Sequence, residues 1–165
     1  VAEVGGDPTR LAVGGDSAGG GLAAYVAQQR CAQLRYQVLI YPYMDPNAET
    51  ETRKSCADVF PIDKPTIDWF NAQYLPDAAR HSEVAAAPGL VENVTRMPAA
   101  LVLTAGLDPL CDEAKSYADR LATAGVPCIY HCDPGTIHGY LGMGKFLPHA
   151  ERAIEKIGAV LREGV

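Results

Sequence analysis

The chain has no apolar run of membrane-spanning length, no cluster of basic residues and no even, regularly spaced set of cysteines. Without about 20 consecutive apolar residues no transmembrane helix is predicted. No charged start, apolar middle and small-residue cleavage site marks a secretory leader. Lys and Arg number 14 against 20 acidic residues, a net charge of -6, so a nucleic-acid partner, which needs a basic face, is not expected. The five cysteines, Cys31, Cys56, Cys111, Cys128 and Cys132, are odd in number and irregular in spacing. That fits reduced thiols and a cytoplasmic setting better than a disulfide framework. Cys128, His131, Cys132 and His138 lie near one another, but on a strand Cys128 and Cys132 share one face while His131 points to the other. No metal site is expected, no pattern calls for a cofactor, and no internal repeat is visible.

What is present is enough for one core: 165 residues, 48% of them hydrophobic. Apolar runs at Leu11 to Val13, Gln37 to Tyr41, Ala99 to Thr104 and Val126 to Cys132, bounded by Gly or Pro, predict strands. Helical spacing follows at Leu22, Ala23, Val26 and Ala27, and at Leu110, Ala114, Tyr117, Ala118 and Leu121, closed by Gly125. It recurs at Ala150, Ala153, Ile154, Ile157 and Leu161. Alternating strands and helices imply an α/β fold with a mostly parallel sheet covered on both faces. The second and third strands are too far apart for one crossover helix, so residues 46–97 read as an insertion. It carries the only Trp and a helical piece from Thr66 to Tyr74. A lid over a ligand pocket and a purely structural excursion are both compatible with it.

The most informative segment is Gly15-Asp16-Ser17-Ala18-Gly19, a G-x-S-x-G pentapeptide between a strand and a helix. Such a turn strains the serine backbone and asks for small residues at the two flanking glycines. Ser17 is the candidate nucleophile. A serine hydroxyl needs a base, and the base needs an acid to set its tautomer. Asp108, after the third strand, and His138, after the fourth, follow in the chain order Ser, Asp, His. Pro109 keeps Asp108 from continuing into a helix, although capping the following helix is the plain alternative. His81, His131 and His149 read as surface or packing residues. The Ala18 N–H, at a helix start, is the candidate oxyanion donor.

Gly14-Gly15-Asp16-Ser17-Ala18-Gly19-Gly20, Tyr41-Pro42, Gly106 to Glu113 and Ile137-His138-Gly139 together resemble the hormone-sensitive-lipase family of α/β-hydrolases over nearly the whole chain. The resemblance implies a carboxylesterase or lipase acting on acyl esters, with Ser17, Asp108 and His138 as the triad and the insertion as part of a cap. Two departures stand out. Gly21 replaces a frequent asparagine, which is expected to loosen the first helical turn. No His-Gly-Gly loop precedes the elbow, so the chain reads as the C-terminal portion of a longer protein. Its first strand is then expected to be an exposed edge that favours self-association. A noncatalytic small-molecule receptor, a peptidase and an inactive segment remain as alternative readings; the first of these usually lacks the histidine.

Overall fold

A computed structural model describes residues 5–164. Among these, four strands form one sheet: β1 (Ala12–Asp16), β2 (Tyr36–Ile40), β3 (Ala99–Leu107) and β4 (Cys128–Ile137), in that spatial order. Every neighbouring pair is parallel. Five helices accompany them: α1 (Ala18–Gln29), α2 (Glu51–Ser55), α3 (Lys64–Tyr74), α4 (Cys111–Thr123) and α5 (Pro148–Gly164).

Side-chain alternation along the central strands divides the core in two. Leu39, Ala100 and Val102 pack with alanines of α1 and with Ala114, Tyr117 and Leu121 of α4. Val38, Ile40, Leu101 and Leu103 face the other way, toward Ala150 and Ala153 of α5. The result is a three-layer α/β/α arrangement, and β2 is buried at all five positions. β1 differs. It pairs only with β2 among the described residues, and Ala12, Gly14 and Asp16 are exposed. The predicted edge strand is therefore present, with one face bare as well.

Several elements depart from the sequence expectation for identifiable reasons. The helical period of α1 is right, but its buried face is made of Gly20, Gly21, Ala23, Ala24 and Ala27. Leu22 and Val26 are exposed, because the helix approaches the sheet too closely for large side chains. β4 starts at Cys128 and runs to Ile137, five residues beyond the expected end, through Pro134-Gly135. Its pairing with β3 shifts register between Ala105 and Leu107. A Cβ on the intervening Gly106 would overlap the Pro134 backbone, so a glycine opposite a proline lets the ladder continue past an apparent turn.

The connection between β2 and β3 contains α2, which sequence spacing does not reveal, and α3, which begins two residues earlier than expected. Thr50 caps α2 by accepting from Arg53 N at 3.2 Å, and Asp63 caps α3 by accepting from Thr66 N at 2.9 Å. α2 is fastened to the start of α4 by reciprocal bonds. Thr52 N donates to Asp112 Oδ2 at 2.9 Å, and Asp112 N donates to Thr52 Oγ1 at 3.1 Å.

Candidate active site

Ser17 occupies the turn between β1 and α1 with φ 55 and ψ -123, a backbone conformation rare for a residue with a side chain. Four main-chain bonds hold it there. Ser17 N donates to Ile40 O at 2.9 Å, and Ser17 O accepts from the amides of Gly20, Gly21 and Tyr43 at 3.0, 3.2 and 3.0 Å. A Cβ on Gly15 would overlap the Gly19 carbonyl, and one on Gly20 would lie 2.7 Å from Pro42 Cβ. The expected requirement for a small residue at Gly19 does not hold, because a Cβ there would meet nothing within 4 Å. Gly21 also behaves differently from expectation. Its Cα faces the Tyr43 carbonyl, which a Cβ would overlap, so this glycine permits close packing of α1 as well as costing helix propensity.

The serine, histidine and aspartate come together at the carboxyl ends of the strands. Ser17 Oγ lies 2.8 Å from His138 Nε2, and His138 Nδ1 lies 2.7 Å from Asp108 Oδ2. His138 is 5% exposed and Asp108 fully buried. With Nδ1–H donated to the carboxylate, Nε2 is left to accept the serine proton. The other carboxylate oxygen, Oδ1, accepts from Leu110 N at 2.9 Å. Asp108 thus fixes the turn ahead of α4 and faces the histidine at once, but it does not cap the helix: the N-cap position is Leu110, which has no side-chain cap bond. Gly106 against Pro134 brings the acid-bearing and histidine-bearing turns side by side.

Beside Ser17 lies a cavity of about 580 Å3, lined by Ala18, Leu22, Ile67, Trp69, Phe70 and Tyr74 among others. Ala18 is the first residue of α1, so its N–H has no acceptor within the helix. The Tyr43 hydroxyl donates to Asn71 Oδ1 at 2.6 Å on the cavity wall, and burial pushes its pKa up to about 12. Behind this wall, Arg53 reaches Glu113 Oε2 through Nε at 3.0 Å and Nη2 at 2.8 Å, while Glu113 Oε1 accepts from Met44 N at 2.7 Å. Burial outweighs the guanidinium and the amide, and raises the Glu113 pKa to about 7.

The remaining histidines lie elsewhere. His131 pairs with Asp133 at 3.3 Å, and His81 reaches Leu75 O at 2.8 Å. Burial raises the Cys111 and Cys128 thiols to about 11, and no group of three or more metal-ligating side chains occurs among the described residues. Three contributors escape sequence reasoning. Tyr41 packs its ring against His138 at 4.7 Å between centroids, and Arg53 with Glu113 braces α2. Tyr41 and Glu113 left a signal only as members of the family motifs, without a role attached, and Arg53 left none.

A parallel sheet between helical layers, with a serine on a strained strand-to-helix turn and an acid and a histidine after later strands, defines an α/β-hydrolase. A family described as having the alpha/beta hydrolase fold matches residues 1–142. Carboxylic ester hydrolase LipN of Mycobacterium tuberculosis is 38% identical over 150 residues, covering 86% of this chain and 40% of LipN. Carboxylesterase NlhH of the same organism is 35% identical over 173 residues, covering 100% of this chain and 54% of NlhH. The hyperthermophilic esterase from the archaeon Pyrobaculum calidifontis superposes with a TM-score of 0.93 at 32% identity, over 98% of this chain and 55% of that one. The chain belongs to the α/β-hydrolase fold family, in its hormone-sensitive-lipase-like branch. It spans about half the length of the curated relatives it matches.

Proposed function

We propose that the protein hydrolyses carboxylic esters through a Ser17–His138–Asp108 triad. The observation that carries this reading is the unbroken line of contacts from Ser17 Oγ to His138 at 2.8 Å and from His138 to Asp108 at 2.7 Å. His138 Nε2 takes the Ser17 proton as Oγ attacks the ester carbonyl, and the resulting oxyanion is received by the Ala18 N–H. The tetrahedral intermediate collapses, His138 protonates the departing alcohol, and an acyl-serine remains. Water then loses a proton to the same histidine and attacks the acyl carbonyl; the second tetrahedral intermediate collapses, His138 returns that proton to the departing Ser17 Oγ, and the acid is released with the triad restored. No step calls for a metal or a cofactor.

The insertion, residues 46–97, serves as a cap in this reading, because α3 supplies much of the apolar wall beside Ser17. That wall suits the hydrocarbon part of a small ester. The free thiols of all five cysteines support a reducing compartment such as the cytoplasm. The bare face of β1 and its edge, unpaired among the described residues, support self-association of the 165-residue polypeptide; a monomer throughout a sedimentation series would overturn this.

Hydrolysis of p-nitrophenyl butyrate by the polypeptide and by Ser17→Ala tests the activity. Loss of a triad nucleophile is expected to lower turnover by about a million-fold where the rest of the site is complete. Ala18 is one oxyanion donor, and lack of a second costs about 100- to 1,000-fold. Covalent labelling of Ser17 by a fluorophosphonate therefore accompanies the assay. Labelling abolished by Ser17→Ala supports the serine hydrolase; equal turnover and equal labelling of both proteins overturn it.

A further inference from the structure

We infer that Tyr41 is a positioning residue, whose ring holds the His138 imidazole in line between Ser17 and Asp108. The inference rests on the proposed triad, and three features of the turn after β2 carry it.

The first is strain. Tyr41 has φ 35, and Ser17 is the only other non-glycine residue with positive φ among those described. A side-chain-bearing residue stays in this region only where its surroundings over-determine it. Here Tyr41 N donates to Leu103 O at 2.6 Å, continuing the β2–β3 ladder one residue past the strand, and the side chain is 2% exposed. The twist of the backbone is coupled to placing this ring at the strand ends instead of in the next layer of core.

The second is the partner. The Tyr41 ring lies 4.7 Å from the His138 ring at an interplanar angle of 58°, and 5.7 Å from the Tyr140 ring at 64°. His138 and Tyr140 flank Gly139, whose φ of 78 turns the chain sharply between them. Two side chains of the histidine turn therefore contact one ring from the turn after β2. The two hydrogen bonds of His138 both use ring nitrogens and leave rotation about their common line unopposed; a ring packed on the imidazole opposes it.

The third is economy of connection. Ile40 O accepts from Ser17 N, and Tyr43 N donates to Ser17 O. The residue before Tyr41 and the one two places after it thus fix the serine backbone while Tyr41 fixes the base, so one short segment sets the distance between nucleophile and histidine. Burial first, then the negative charges of Asp16 and Asp108, push the Tyr41 hydroxyl above its ordinary pKa. The neutral ring, and no proton of its hydroxyl, is what the role requires.

Tyr41→Phe and Tyr41→Leu separate ring from hydroxyl, and are made in the full-length protein. Fluorophosphonate labelling of Ser17 and ester kinetics report function. The downfield proton resonance of His138 Nδ1–H, assigned with His138→Gln, reports the imidazole directly. Expected is a labelling rate and kcat within about twofold of wild type for Phe, and roughly 10- to 100-fold lower for Leu at unchanged KM, since misplacement of about 1 Å costs on that order. The Nδ1–H signal should persist in Phe and be broadened or lost in Leu. A folded Leu variant that retains the signal and the wild-type labelling rate overturns the inference. So does a Phe variant as slow as expected for Leu, which decides the matter even where Leu does not fold. A wild type that shows the Nδ1–H signal without Ser17-dependent labelling would instead overturn the hydrolase reading, and the signal in the two variants would still test the ring.

Discussion

The strand ends that carry Ser17, Asp108 and His138, and the long connection that lines the cavity beside them, are held by different kinds of contact. At the strand ends the fixing groups are mostly backbone. Ile40, Gly20, Gly21 and Tyr43 bond the main chain of Ser17, and glycines at 15, 20, 21 and 106 let one main chain lie directly against another. In the connection side chains carry much more of the fixing: Asp112 with the Thr52 amide, Arg53 with Glu113, Tyr43 with Asn71. Its aromatic residues also stay in contact with solvent, Trp69 at 59% and Tyr74 at 67% exposure. Backbone packing leaves little freedom to substitute or to move, whereas side-chain bonds can be exchanged singly. The geometry of the proposed reaction is thereby invested in the rigid part, and the shape of the cavity in the adjustable one.

The sharpest way to break this contrast is to place a side chain in the rigid part. Gly20→Val drives a Cβ to within 2.7 Å of Pro42 Cβ and 2.9 Å of Pro42 Cα, and backbone on both sides prevents relief. A loss of stability of about 3 kcal/mol or more is expected by denaturant unfolding. Gly19→Ala, one residue away, meets open space on the second position of α1. It should raise stability by about 0.5–1 kcal/mol through helix propensity and a less flexible unfolded chain. Equal effects of the two substitutions would show that the elbow glycines act by composition and not by contact.

The clamp between Arg53 and Glu113 is the strongest single tie of the adjustable part. Arg53→Ala removes the cation from a carboxylate only 4% exposed and should cost about 3 kcal/mol, the low end for a broken buried pair because Glu113 can take up a proton. The pH dependence has a definite sign. Glu113 titrates near 7 in the folded chain against an ordinary 4.5, so between these values the folded state binds more protons than the unfolded one. Its contribution to stability is complete below about 4.5 and is lost as pH rises through about 7. The stability of wild type minus that of Glu113→Gln should therefore fall between pH 5 and pH 8; a difference that stays level over this range and changes only below about pH 4.5 would mean that pairing with Arg53 outweighs burial.

The same contrast explains what could be read from sequence. That Ser17, Asp108 and His138 come together is legible because the proposed chemistry asks for particular residue types at strand ends, in an order that the fold imposes. The strands were legible from apolar runs, and β4 was cut short only because Pro134-Gly135 reads locally as a turn. Its continuation depends on Gly106 in another strand, which no local pattern contains. The buried face of α1 is not legible for a related reason: the large residues Leu22 and Val26 mark the periodicity, while glycine and alanine make the contact. Arg53 and Glu113 are 60 residues apart, and Tyr41 meets His138 only after three strands have aligned. Pairings of that kind belong to the assembled sheet and leave at most a motif without a stated role.

Trp69 provides the smallest effect and the cleanest test of adjustability. It lines the cavity with its ring packed edge-on against Phe70 at 5.2 Å between centroids, yet more than half of it is exposed. Trp69→Ala therefore removes little buried surface, and unfolding stability should change by no more than about 0.5 kcal/mol. A substrate whose hydrocarbon part reaches α3 loses apolar contact, so KM should rise roughly three- to tenfold for a longer acyl or aromatic ester and stay level for an acetate, with kcat preserved in both. A fall in kcat for the acetate would place Trp69 among the residues that hold the reaction geometry, and would erase the division between the two regions at the point where they meet.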